Sequence, residues 1–162
     1  MRTSITLLSF ALFLPLVACN GGGSGDPLSA AEAALQAGDS AKAVGLLQKH
    51  AAGLDKASDA YREATLLLCN ALAEAAPKDA AQTLLALAEA QPDKVTARDF
   101  RDVQSYLQTH GHLLEAIDVM DAGLKRWSED ATMLEVKDRL LAAVKNAGDA
   151  AATAKLKGLG YM

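Results

Sequence analysis

From Leu28 onward no run of residues alternates apolar with polar over the length of a strand, so the pattern excludes half-buried strands and leaves helix. Alanine and leucine fill the apolar positions, and the few aromatic and β-branched residues fit helix better than sheet. Breaks fall at Gly38-Asp39, Gly53-Leu54-Asp55, Pro77, Pro92, Gly111, Ser128 and Gly148. They predict eight helical segments over 28–37, 40–52, 57–75, 78–90, 94–109, 112–127, 129–146 and 149–157. Ser40, Ser58, Thr96 and Ser128 stand where an N-terminal cap or first-turn residue is expected.

The breaks recur. Gly38, Ala76, Gly111 and Gly148 are small residues at turns, spaced 38, 35 and 37 apart. Five residues after each stands Ala43, Ala81, Ala116 or Thr153, a small side chain that lets two helices approach closely. A period near 36 lies in the window of stacked helical hairpins.

The clearest copy runs from Thr96 to Ser128. Phe100, Val103 and Leu107 supply the apolar face of a first helix, Gly111 the turn, and Ala116, Met120, Gly123 and Leu124 the packing face of a second. A middle copy has Leu68, Cys69, Leu72, Ala81, Leu85 and Ala88. The first keeps Gly38, Ala43 and Leu47, and the last, around Leu140, Val144 and Gly148, is degenerate. This pattern resembles the tetratricopeptide repeat. It departs from it at Gln104 and His50, which stand at small-residue positions, and at Ser128, where the family usually has proline. The resemblance implies an all-α fold of antiparallel hairpins stacked as a short solenoid of about three to four degenerate repeats over residues 28–162. A plain helical bundle is the other all-α arrangement the pattern allows. The tail from Leu156 to Met162 is positioned to fold back over the last hairpin.

The first 25 residues have a different character. Arg2 is the only charge before Asp26, and Ile5 to Val17 is mostly apolar, about 13 residues, which suits the h-region of a secretory signal and falls short of the roughly 20 needed to span a bilayer. Leu16-Val17-Ala18-Cys19 follows, an aliphatic residue, a tolerant position, a small residue and then cysteine. This resembles the bacterial lipobox. The resemblance implies a lipoprotein signal peptide over 1–18, a diacylglyceryl thioether on Cys19, and acylation of the amine freed by cleavage. Several acyl chains, at about 0.8 kcal/mol per buried methylene, make such an anchor effectively permanent. An ordinary signal peptide cut after Ala18 and an uncleaved anchor are the alternatives. Asn20 follows the cysteine, and by the enterobacterial pattern a residue other than aspartate there implies the outer membrane, with the domain on the periplasmic side. Residues 19–27 read as lipidated cysteine and a flexible glycine-rich tether, with a typical reach of about 15 Å and at most about 28 Å.

Removing Arg2 leaves 15 basic against 20 acidic residues. A mildly acidic, mixed surface argues against nucleic acid and anionic lipid surfaces as partners. With Cys19 lipidated, Cys69 has no partner for an intramolecular disulfide, and it reads as a small packing residue rather than a nucleophile. His110 and His112 flank a turn glycine without the third ligand that zinc needs, and His50 is isolated. The run Gly21-Gly22-Gly23-Ser24-Gly25 has no strand before it and no lysine after it, so it is no phosphate loop. No catalytic set, cofactor or metal is therefore expected. Trp127, at the end of a helix, reads as packing between hairpins, with a partner anchor as the alternative.

In the repeat family, ligands usually lie in the groove lined by each first helix. The resemblance thus implies partner-binding positions at Arg98, Arg101, Ser105 and Gln108, with Glu63, Leu66, Asn70 and Ala73 beside them. Arginine and amide groups there suit an extended peptide. The expected function is a membrane-anchored, non-enzymatic protein-interaction module in an envelope assembly or secretion complex. A structural lipoprotein without a dedicated partner, or a small-ligand binder, metal binder or enzyme on a helical scaffold, is the alternative.

Overall fold

The computed structural model describes residues 26–162; Cys19, the 1–18 segment and all but the end of the 19–27 tether lie outside the described residues. The described chain is all-helical. It runs through α1 (Pro27–Gln36), α2 (Ser40–Ala52), α3 (Asp59–Ala75), α4 (Pro77–Ala90), α5 (Ala97–Thr109), α6 (Leu113–Arg126), α7 (Ala131–Ala147) and α8 (Ala150–Gly158). Every boundary falls within three residues of the one expected from the breaks. No helix among the described residues is long and apolar enough to cross a membrane.

The helix starts are set by short polar side chains that accept from otherwise orphaned backbone N–H groups. Ser58 and Thr96 do this as expected, and Thr96 with Asp99 forms a reciprocal capping box. The remaining side-chain caps are aspartates, Asp26, Asp39, Asp130 and Asp149. Ser40 is instead the first residue of α2, where its hydroxyl donates to Glu74, and Ser128 lies in the turn before α7. Three of the four recurring turn residues are left-handed glycines, with φ of +74° at Gly38, +81° at Gly111 and +64° at Gly148. Ala76 differs because it is followed by Pro77. The proline ring disfavours the helical region for the residue before it, so Ala76 adopts φ −154° and α4 begins at once.

Each helix packs on the next in sequence. In addition α3 packs on α5 and α5 on α7, while α4 packs on α6 and α6 on α8. The core runs continuously through these layers and is centred on fully buried Leu47, Leu84, Phe100, Ile117, Met120 and Leu140. The small residues after the turns do what their size allows: Ala43, Ala81 and Ala116 are buried at the helix contacts. Gly123 shows the tightest approach, since a Cβ built on it would lie 2.4 Å from Met133 Cε and 3.2 Å from Phe100 Cδ1.

Polar contacts between helices follow one spacing. Every non-local side-chain hydrogen bond among the described residues joins positions 33 to 41 apart in sequence. Arg62 on α3 donates to both carboxylate oxygens of Asp99 on α5, at 2.7 and 2.8 Å. Gln91 Nε2, after α4, donates to the carbonyls of Lys56 and Ser58 in the loop before α3. Arg126, at the end of α6, donates to the carbonyls of Ala88 and Pro92 and stacks over Trp127. The Trp127 ring in turn meets Phe100 edge-on, with centroids 5.2 Å apart. Its place is at the junction of successive helical pairs.

Candidate functional site

The positions Arg98, Arg101, Ser105 and Gln108 recur at helical spacing along α5, opposite the buried stripe of Phe100, Val103, Gln104 and Leu107. Arg98 and Ser105 are exposed, and Arg101 and Gln108 are half-buried. Their polar groups are engaged unequally. Arg98 forms no ion pair or side-chain hydrogen bond among the described residues. Arg101 donates from Nε and a terminal nitrogen to Asp102 Oδ1 at 2.8 and 2.6 Å, an exposed pair of little energetic consequence. Gln108 Oε1 accepts from Gln104 Nε2 at 2.9 Å. That bond explains how a glutamine is tolerated at a buried small-residue position: its amide finds a partner one helical turn further on.

On the neighbouring α3, Glu63 is exposed and Leu66 and Asn70 are half-buried. Asn70 Oδ1 is enclosed and has no hydrogen-bond partner. Ala73, expected on this face, is instead fully buried in the core, because α3 turns it toward its packed neighbours. On two helices that pack side by side the face thus holds one exposed arginine without an internal partner among the described residues, while the unpaired Asn70 acceptor lies enclosed beneath the surface of α3.

The remaining chemistry-bearing residues sit elsewhere. Cys69 is wholly buried, and removal from water pushes its thiol up to about 12, which keeps it protonated and inert at neutral pH. His110 caps α5 at its C-terminus, with Nδ1 2.8 Å from the Tyr106 carbonyl and its ring stacked on Tyr106; His112 is the residue before α6. Among the described residues no three histidine, cysteine or acidic side chains gather as a metal-binding group. Tyr161 in the tail donates to Asp121 at 3.0 Å, so the tail folds back as far as α6. Burial first, and then the hydrogen bond and charge of Asp121, push this phenol up to about 12. Lys94, by hydrogen bond and charge, holds the exposed Asp59 carboxyl below its ordinary value.

Sequence reasoning missed two features. The gap between α2 and α4 follows from α2 failing to pack on α4 as α4 packs on α6, and no residue type announces it. The buried, unpaired hydroxyl of Thr65 inside that gap was likewise silent, because a mid-helix threonine commonly bonds back to its own helix. No protein-family model matches the chain, and neither does a curated protein or a solved structure.

Proposed function

We propose that this chain is a lipid-anchored lipoprotein of the bacterial envelope, held by Cys19 at the periplasmic face of the outer membrane. Its helical domain acts as a non-enzymatic protein-binding module in an envelope assembly or secretion complex. The anchor reading rests on Leu16-Val17-Ala18-Cys19 behind a short apolar stretch. The domain reading is that of a short tetratricopeptide-like stack. It is supported by the packing of each helix on its second neighbour from α3 onward and by the single 33-to-41-residue spacing of the non-local polar bonds. In this arrangement α3, α5 and α7 line one side.

The observation that carries the binding role is Arg98, an exposed guanidinium on that side with no ion pair or side-chain hydrogen bond among the described residues. A guanidinium offers up to five donors in a fixed fork. An extended peptide supplies the carboxylates or carbonyls that answer it.

The test is affinity capture from crosslinked membranes, comparing the native chain with Cys19→Ala and with Arg98→Glu/Arg101→Glu. The expected result is a defined partner set that the double charge reversal removes while the protein stays in the membrane fraction. Cys19→Ala should shift the protein out of that fraction, and mass spectrometry of the native N-terminal peptide should show a diacylglyceryl-modified Cys19. An identical partner set with and without the two arginines would remove the groove from the proposal and leave only the address.

A further inference from the structure

The packing of each helix on its second neighbour begins only at α3, and a cleft lies where α2 fails to close on α4. From α4 onward each second helix packs on the next, but α2 and α4 do not close on one another, and the space between them is a cleft of about 450 Å3. That volume lies within the range of about 300–1,000 Å3 that holds small molecules. Its floor is one stripe of α3, where Tyr61, Thr65 and Leu68 recur at helical spacing. Ala51 from α2 and Thr83 from α4 form the walls, and the exposed Lys56 from the loop before α3 supplies the only charged side chain of the lining.

Thr65 makes this more than a surface hollow. It is 4% exposed, and its Oγ1 is enclosed without any hydrogen-bond partner. A helical threonine normally satisfies its hydroxyl on the carbonyl one turn back, and this one does not. A buried hydroxyl left without a partner, on a residue that lines a cleft with one cationic residue, is a specific chemical demand. It asks for a hydrogen-bond acceptor, a negative charge and a short apolar body.

We propose that this cleft is a binding site for a small amphipathic carboxylate. The charge of Lys56 counters the head group, the Thr65 hydroxyl, turned from its enclosed position toward the cleft by rotation about χ1, donates to one of its oxygens, and the apolar chain lies against Ala51 and Leu68. The site is separate from the Arg98 face and does not depend on the anchor, so it stands or falls independently of the function proposed above.

The test titrates the full chain with decanoate, below its micelle-forming concentration, and follows backbone amide resonances by NMR. Decanol serves as the uncharged probe and acetate as the probe without a chain. The expected result is saturable shifts grouped at Ala51, Tyr61, Thr65, Leu68 and Thr83, with decanol and acetate at least about tenfold weaker. Thr65→Val should weaken decanoate by about tenfold or more, the range of one hydrogen bond to a charged group, and Thr65→Ser should restore it. Lys56→Gln, at an exposed position where folding is not at stake, should reduce the preference for decanoate over decanol. Absence of saturable shifts, shifts centred instead on exposed Leu134, Leu159 and Met162, or unchanged affinity in Thr65→Val would each overturn the proposal.

Discussion

Two glycines in helix interiors allow the close packing of this array to be measured with a single kind of substitution. Gly45 lies in α2 with nothing within 4 Å of an added Cβ, whereas a Cβ on Gly123 in α6 would meet Met133 Cε at 2.4 Å, Met133 Sδ at 3.0 Å and Phe100 Cδ1 at 3.2 Å. Replacing either glycine by alanine removes the same backbone freedom from the unfolded chain, a gain of about 0.8–1 kcal/mol in a helix interior. At Gly45 that gain stands alone, so Gly45→Ala should stabilise by about 1 kcal/mol. At Gly123 it is opposed by overpacking against the flexible end of Met133 and the ring of Phe100, both fully buried. Forcing a methyl into a filled core costs about 1–3 kcal/mol, so Gly123→Ala should fall short of Gly45→Ala by about 1 kcal/mol or more. Because the propensity terms cancel, the gap between the two variants is the packing cost itself. The assay is urea unfolding followed by far-UV circular dichroism, comparing midpoints at matched slopes. Met133→Ala supplies a cross-check. Alone it should cost about 2–5 kcal/mol, and in the Gly123→Ala background at least about 0.5 kcal/mol less, because the added methyl occupies part of the vacated space. Equal stabilisation by Gly45→Ala and Gly123→Ala would refute the close approach of α6 to α7 and α5.

Two further outcomes follow from the polar and titratable groups of the core. Asp99→Ala removes both the bidentate partner of Arg62, whose side chain is only 24% exposed, and the capping box of α5, and should cost about 3 kcal/mol, with Arg62→Ala/Asp99→Ala losing less than the two single variants summed; strict additivity in urea unfolding would contradict the pair. Cys69 and Tyr161 both have folded pKa values raised to about 12, from 9.0 and 10.0. The sign is therefore fixed: their contribution is fully present below about pH 9, where the unfolded chain is also protonated, and is lost as pH rises through about 12. Stability should fall over that window by up to about 1.4 kcal/mol per pH unit for the buried Cys69 and by less for Tyr161, whose partial exposure screens it, and Cys69→Ala should flatten the fall. An unchanged alkaline slope in Cys69→Ala would show that the thiol reaches water in the folded state.

The fold was legible at the level that composition and punctuation control. Gly38, Gly111 and Gly148 could be read as turns because only glycine enters the left-handed region without strain, and all three do so. Pro77 and Pro92 could be read as breaks because a proline interior to a helix loses a hydrogen bond and clashes. The capping aspartates were harder. Asp39, Asp130 and Asp149 fill the same role as Ser58, but an acidic residue at a helix start is also what an ordinary solvated surface supplies. The close approach of α6 to α5 and α7 was encoded in Gly123, whose missing side chain is informative only through what it fails to fill, whereas no residue type announced the packing of second neighbours.

The candidate site was legible by position and illegible by state. Helical spacing places Arg98, Arg101, Ser105 and Gln108 on one stripe, and no periodicity distinguishes the free Arg98 from Arg101, which Asp102 has already claimed. The Arg101–Asp102 contact joins adjacent residues, and its formation depends on side-chain conformation, which residue type alone does not fix. Arg62 and Asp99 are hidden for another reason. Each looks like an ordinary surface charge in its own helix. Only the 37-residue separation that brings α3 against α5 turns them into a half-buried pair in which one guanidinium nitrogen meets both carboxylate oxygens. The non-local side-chain bonds among the described residues all join positions 33 to 41 apart, so the specificity of the packing lies in pairs that no local stretch of sequence displays. An exposed polar residue that finds no partner at that distance, as with Arg98, is then the place where the helical domain has chemistry left to offer something outside itself.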